Sequence, residues 1–403
     1  MKLTNLRSLL LNLRIEQLFN QTDGGIMQII WWILFFFLIF GMNFLRVLWI
    51  QFKIKNFIEE LENIDNLAFW KLIAKVTETK KEFTEIVHNK SVGEAAENLK
   101  ENEDFKATLR WARELRDSFT ISPVERDPTD VLKRLEHIFD VRQRRMRGIA
   151  SRIVPDAPEH VKRNIEGLFE VSASLHQVYK LIRHIYKVAQ KIGNIYYLMQ
   201  VSMVIPFIRE QVVSVFDAEK GFRYGIPIGD GVGAMVAETF FGDEVTVNEE
   251  LDTVYSPTEY EGRYVLAIKA KGPGSEVGKP GQQLQETLEQ LNGEVDGVIT
   301  VDAALRLEGE ENGKVDLGVG AAIGGTGVEK WKMEEICRKY ETPLYAVAIK
   351  ESIPASITPM EQKLLKGVDK ATEEVKRLIR EEIPEEGKAI ILGIGNTVGV
   401  GNE

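Results

Sequence analysis

The stretch Ile26–Leu45, "IMQIIWWILFFFLIFGMNFL", is twenty residues without a charged side chain. At about 1.5 Å of helical rise per residue it matches a hydrocarbon layer of roughly 30 Å, so a transmembrane helix is the fold it dictates. It is longer than the apolar core of a cleaved signal, and no small-residue cleavage pattern follows, so the expectation is a retained anchor. Trp31, Trp32 and Trp49 suit the membrane interfaces, and the amphipathic "NLRSLLLNLRIEQLF" before the span suits the bilayer surface. Arg7 and Arg14 precede the span while Arg46, Lys53 and Lys55 follow it, a slight bias that puts the C-terminal side in the cytoplasm. A second uncharged run, Ile192–Ile208, is interrupted by Asn194, Gln200, Ser202 and Pro206 and reads as a core helix.

Charge and glycine divide the 403 residues in two. Residues 1–220 carry a formal charge of +4 and 7 glycines, and residues 221–403 carry −14 and 26 glycines. All five histidines lie in the first part. Two architectures follow: an amphipathic segment (1–25), the span (26–45) and an α-helical bundle or stalk (46–220), then a glycine-rich acidic α/β domain (221–403). The single cysteine, Cys337, excludes an intramolecular disulfide and reads as a buried apolar residue of a helix.

In the helical part, "FIEELENIDNLAFWKLIAKV" and "VYKLIRHIYKVAQKI" place apolar residues three and four apart. "DPTDVLKRLEHIFDVRQRRMRGIASRI" clusters Arg142, Arg144, Arg145, Arg147 and Arg152. Such arginines meet either lipid headgroups or nucleic acid, or pair with acidic neighbours on a solvated face. No aromatic interleaving or nucleic-acid motif accompanies them, so nucleic acid is not an expected partner.

In residues 221–403 the predicted strands are 244–248, 264–270, 297–301, 344–350 and 389–392, with helices beginning near Val232, Gln282, Glu329 and Pro359. Continuous apolar runs such as "GVITV", "YAVAI" and "AIIL" predict a largely parallel sheet covered by helices on both faces. Ligands on such sheets gather beyond the carboxyl ends of the strands, where this sequence puts its glycine loops. "GIPIGDGVGAMVAETFFG" sets Asp230 between Gly229 and Gly231 at a helix entrance, and "GVITVDAALRLEG" sets Asp302 directly after a strand. Carboxylates brought together there can share a proton, hold a metal or act as acid and base, because proximity drives their pKa values apart. Singly, an aspartate before glycine is a turn residue or helix cap.

"KAKGPGSEVGKPG" is not a nucleotide-binding P-loop, because Pro273 and Pro280 replace residues that motif requires. The backbone around Gly274 and Gly278 can still cradle an anion, with Lys279 as counter-charge. In "GVGAAIGGTGVEKW", the amides of Gly324, Gly325 and Gly327 are candidates to stabilise negative charge, as are Gly393 and Gly395 of the terminal "GIGNTVG". That terminal motif is not a dinucleotide site, since eleven residues from Gly393 onward leave no room for the helix and distant acid it needs.

Through "DPTDVLKRLEHIFDVRQRRMRG", the glycine loops and "GIGNTVG", the whole chain resembles an archaeal family of membrane-anchored proteins of unknown function. Over about 170 residues the acidic domain is similar to the fold shared by hydrogenase-maturation proteases and the spore germination protease. In that group a strand and a "GIGN"-like loop lead directly into an Asp/Glu-Gly turn, "GVG" and a helix. "IGDGVGAMVAE" matches the second half, while "GIGN" stands at the opposite end as Gly393–Asn396. Asp302 in "ITVDAAL" matches the group's aspartate at a central strand end. The resemblance implies a circularly permuted domain whose last strand inserts beside the one ending at Asp302, so that Asn396 meets Asp230. Insertion into a neighbouring subunit would instead imply a homo-oligomer. The maturation proteases take a histidine as third metal ligand, which this domain lacks, whereas an aspartate pair is what the germination protease uses. An oxygen-only site at Asp230 and Asp302 would accept magnesium or manganese.

Three functions stay open: a membrane-anchored peptidase-like hydrolase using Asp230 and Asp302 on a peptide, a module binding a small anionic or nucleotide ligand, and a structural membrane scaffold.

Overall fold

The computed structural model describes residues 4–88, 92–118, 131–324 and 327–402. The apolar periodicity of the first half folds into α1 (Thr4–Thr79), α2 (Lys81–His88), α3 (Val92–Glu101), α4 (Glu103–Asp117), α5 (Val131–Ile153), α6 (Glu159–Ile192) and α7 (Ile195–Tyr224). The chain forms two compact units, one of residues 1–59 and 182–205, the other of residues 60–181 and 206–403.

In the first unit, Ile50, Ile54, Phe57 and Ile58 form a buried stripe on α1, and Leu198, Val201 and Ile205 another on α7. This is the spacing of helices buried on one face only. Their remaining surface exposes Trp31, Trp32, Phe37, Trp49, Tyr196 and Met203. The expected core helix over Ile192–Ile208 is thus half correct, since its second face is apolar and uncovered. Among the described residues, Ile195–Tyr224 is long and apolar enough to cross a membrane by length and composition, and Ile29–Leu38 is a shorter apolar stretch.

In the second unit, α7 is followed by a short 3-10 turn (Gly229–Gly231), α8 (Val232–Glu238), β1 (Thr246–Asn248), β2 (Thr253–Tyr260) and β3 (Arg263–Ala270). Next come α9 (Pro280–Gln290), β4 (Gly297–Leu305), β5 (Val315–Val319), α10 (Val328–Lys339), β6 (Leu344–Glu351), α11 (Ile353–Ile357), α12 (Gln362–Glu382) and β7 (Lys388–Gly393). The strands form one sheet in the order β1-β2-β3-β7-β4-β6-β5. β3, β7, β4 and β6 run parallel, while β1, β2 and β5 are antiparallel to their neighbours. The sheet is therefore mixed rather than largely parallel, because the sequence reading missed β2 and β5.

Alternation along the central strands supplies two cores. Val265, Ala267, Ile299, Val301, Ala389 and Ile391 pack beneath α8 and α12, whose Val232, Val236, Val368 and Val375 join the same cluster. Leu266, Ile268, Val298, Ile390 and Leu392 face the other way, against Leu284 and Leu288 of α9 and Met333 and Ile336 of α10. Helices cover both faces, which is why these strands read as unbroken apolar runs. Cys337 is buried in the second cluster, and burial raises its thiol to about 12, leaving it unreactive at neutral pH.

β7 inserts between β3 and β4 of its own chain, pairing Ile391 with Ala267 on one side and with Ile299 on the other. The chain beyond it is tied down. Thr397 is fully buried with its Oγ1 2.9–3.1 Å from the carbonyls of Lys271, Gly274 and Glu276. Lys269, also fully buried, donates to Gly401 O and to Asn402 Oδ1. Burial lowers its ammonium to about 8.

The GDG turn meets the end of β7 backbone to backbone. A methyl group on Gly395, whose φ is +127°, would run into the Asp230 carbonyl, and one on Gly233 into the carbonyls of Val301 and Ile394. Gly395→Ala is expected to lower stability by about 2–3 kcal/mol. Gly148→Ala, in the middle of α5 with nothing within 4 Å, is expected to raise it by about 0.5–1 kcal/mol. Denaturant midpoints of the two variants and the parent check both values.

Candidate active site

β4 outruns its neighbour. β7 stops pairing at Gly393 opposite Val301, and β4 continues through Asp302, which pairs with Ala348 of β6. Asp302 is thus inside a strand rather than after it, at the point where the adjoining strand has ended. That is the crevice at strand carboxyl ends where sheets of this kind bind ligands. Its Oδ1 accepts the Ala303 N–H at 2.7 Å and its Oδ2 the Gly324 N–H at 2.9 Å. Asp230 reaches the same crevice from the GDG turn, and its Oδ2 accepts the Asn396 N–H at 2.8 Å. The expected meeting of "GIGNT" with "IGDGVG" is present within one chain, so no strand from a second copy is needed.

Both aspartates line a cleft of about 600 Å³. Burial, and then the charge of Asp230, push Asp302 up to about 7, against the pull of the Gly324 and Ala303 amides. Burial also raises Asp230, opposed by the Asn396 amide. Glu351, at the end of β6, was missed by sequence reasoning. It is 2% exposed, and neither carboxyl oxygen has a hydrogen-bond partner among the described residues. Burial, with the charges of Asp230, Asp302 and Glu361, pushes it up to about 8. A methyl group on Gly229 would come within 2.6 Å of its Oε2, which sets it directly against the turn that carries Asp230. A glutamate closing an apolar strand carries no motif, so only the fold reveals it.

One wall of the cleft comes from the helical part, through Phe139, Asp140, Gln143 and Met146 of α5 and Glu166 and Glu170 of α6. The arginines of α5 are largely occupied. Arg142 pairs with Glu170 and Arg145 with Glu114, each at 2.5 Å. Arg147 binds Glu276 at 2.5 Å and Asp252 at 2.8 Å. For these three, pairing with acidic neighbours describes the cluster.

The proposed anion cradle is otherwise employed. Lys279 pairs with Asp140 at 2.9 Å. The amides of Gly272, Ser275, Val277 and Lys279 donate to Asn402, Asn164, Glu276 and Leu251. Gly274 and Gly278 serve close packing, against α6 and against the Asp252 carbonyl. Gly229, Gly231 and Gly393 likewise pack on Ala355, Asn396 and α8. The Gly324 amide, expected to face a substrate, is bound to Asp302. Gly324, Gly327, Gly395 and Asn396 line the cleft, as do Gly278 and Lys279. Gly325 lies outside the described residues. Among the described residues no group of three or more His, Cys, Asp or Glu is arranged to hold a metal ion, so the expected magnesium or manganese centre gains no further ligand.

Two family models match the chain: the protein of unknown function DUF1512 N-terminal domain over residues 28–225, and the domain of unknown function DUF1512 C-terminal over residues 228–401. The chain belongs to the DUF1512 family. No curated protein and no solved structure matches it.

Glu351 makes stability depend on pH. Because its folded pKa of about 8 lies above the ordinary 4.5, the folded state binds the extra proton between these values, and stability falls as pH rises through the window. Thermal melting of the parent is expected to drop from pH 5 to pH 8, and Glu351→Gln to flatten that drop by the equivalent of about 3–4 kcal/mol. An unchanged slope in the variant would remove Glu351 from the cluster.

Proposed function

We propose that this DUF1512 member is a membrane-anchored hydrolase that cleaves a peptide bond with Asp230 and Asp302. The observation carrying the reading is two carboxyls lining one cleft, Asp302 buried and Asp230 half-buried, close enough for the charge of one to raise the other. In this reading the pair carries one proton at neutral pH, because burial and the charge of Asp230 raise Asp302. The ionised member takes a proton from water as the water oxygen bonds to the carbonyl carbon, while the protonated member gives its proton to the carbonyl oxygen. When the C–N bond then breaks, the first member passes its proton to the departing nitrogen, and the second takes one from the hydroxyl left on carbon. Acid, amine and the one-proton pair are restored.

The resemblance to the germination protease supports this reading, because that group works with aspartates and this domain has no histidine. The terminal "GIGN" beside the GDG turn is the juxtaposition a permuted relative would have. The lining argues against a small anionic ligand. Of the eight carboxylate residues lining the cleft, six are ion-paired with Arg142, Arg147, Arg163, Lys279 or Lys332, so the charge left to repel an anion is that of Asp230 and Asp302. Membrane attachment rests on the uncharged Ile26–Leu45 run and the exposed aromatic residues near it. A cytoplasmic site follows from the basic residues after the run.

Asp230→Asn and Asp302→Asn are each expected to reduce cleavage of a mixed peptide library at least about 10³-fold, with the parent's melting temperature kept in Asp230→Asn and somewhat lowered in Asp302→Asn, whose amide NH2 must face the Ala303 or Gly324 N–H. Cleavage is also expected to fall as pH rises past about 7, where Asp302 gives up the shared proton. Full cleavage by either variant sinks the mechanism. The protein is expected to stay in the membrane fraction after an alkaline carbonate wash and to leave it in detergent; release by carbonate would contradict an anchor.

A further inference from the structure

The residues that fix Asp230 are traceable to the helical part of the same unit. The Asn396 amide that binds Asp230 belongs to a residue held at both ends of its side chain. Its Nδ2 donates to Ser275 Oγ at 3.0 Å, and its Oδ1 accepts the Val398 N–H at 2.9 Å. Ser275 is held in turn, since its N–H donates to Oδ1 of Asn164 at 2.9 Å. Asn164 lies in the first turns of α6 and is 6% exposed. We propose that Asn164 and Ser275 are positioning residues for the aspartate pair, so that α6, through the loop at Ser275 and the Asn396 amide, sets where the Asp230 carboxyl stands.

The neighbours of Ser275 make this connection stiff. A methyl group on Gly274 would approach the Arg163 Cβ and His160 Cα to about 3 Å, so the loop touches α6 backbone-close. On the other side of Ser275, Glu276 is gripped by Arg147 at 2.5 Å and Arg163 at 3.4 Å. The inner side of the same loop binds the terminal segment, with the Thr397 N–H donating to Glu276 O at 2.9 Å. A loop fixed between a helix and the segment carrying Asn396 transmits a displacement of the helix rather than absorbing it. The charge of Asp230 raises the carboxyls of Asp302 of β4 and Glu351 of β6, the charged groups from other packed elements with which it interacts. Both are carboxyls that repel it, so the Asn396 amide is the attractive contact that resists its displacement.

The test uses hydrogen–deuterium exchange of the full-length protein in detergent. The reporter is a peptide covering residues 394–403, and a peptide from β4 is the reference for global stability. Ser275→Ala removes the hydroxyl yet keeps the backbone bond to Asn164, Asn164→Ala cuts the earlier link, and Ser275→Thr keeps the hydroxyl. We expect both alanine variants to speed exchange in the reporter about tenfold with the reference unchanged, and Ser275→Thr to match the parent. Reporter exchange unaltered in Ser275→Ala overturns the proposal. Slow exchange in a folded Asn164→Ala beside fast exchange in Ser275→Ala removes Asn164 from it, and should Asn164→Ala not fold, the Ser275 pair still decides. The consequence for turnover rests on the hydrolase reading: there Asn164→Ala lowers kcat about tenfold with KM unchanged. A protein without peptidase activity ends that reading and leaves the exchange result intact.

Discussion

The backbone junction between the GDG turn and the end of β7 is the constraint on which the α/β domain depends. Residues some 160 positions apart meet through the Asn396–Asp230 hydrogen bond and through glycines that admit no side chain at the contact. This requires the last strand to sit between β3 and β4, which splits the sheet's cores into two faces that α8 with α12 and α9 with α10 then cover. It also ends β7 short of Asp302, which opens the crevice. Fold and candidate site share one origin, and a methyl group at the junction disturbs both.

The electrostatics of that crevice are costly to folding. Asp230, Asp302 and Glu351 are brought together with no basic side chain among the principal charges acting on them. Three ionised carboxyls in such a place would oppose folding, and burial shifts all three toward the protonated form. Elsewhere in the unit buried charge is neutralised: Arg147 and Arg163 meet Glu166, Asp252 and Glu276, and Asp65 is bound by both Arg116 and His176. This unneutralised like charge around Asp230 and Asp302 is the feature on which the proposed proton-transfer role rests.

Much of the fold was legible because its signals are local. "YVLAIKA", "GVITV", "YAVAI" and "AIIL" are apolar on both faces, and they became the four central strands. β2 escaped because Pro257 stands inside it. The structure tolerates that proline because β1 covers only residues 253–255, so β2 is an edge where the proline sits. β5 escaped because a five-residue edge strand containing Asp316 and Gly318 has little pattern to show. Asp230 and Asp302 were legible as carboxylates beside glycine or at a strand end. The glycine loops misled in detail: their composition suits both ligand binding and close backbone packing, and here packing claimed most of their amides. Glu351, Ser275 and Asn164 act only through neighbours brought from afar, which no short motif records.

The central claim is that the aspartate pair holds a proton at neutral pH, and carboxyl 13C shifts of aspartate-labelled protein measure this directly. Recorded from pH 4 to pH 9 on the parent and on Asp302→Asn, they are expected to show a parent carboxyl titrating near pH 7 that the substitution removes. If every aspartate carboxyl of the parent titrates below pH 5, the pair is fully ionised at neutrality and the account fails.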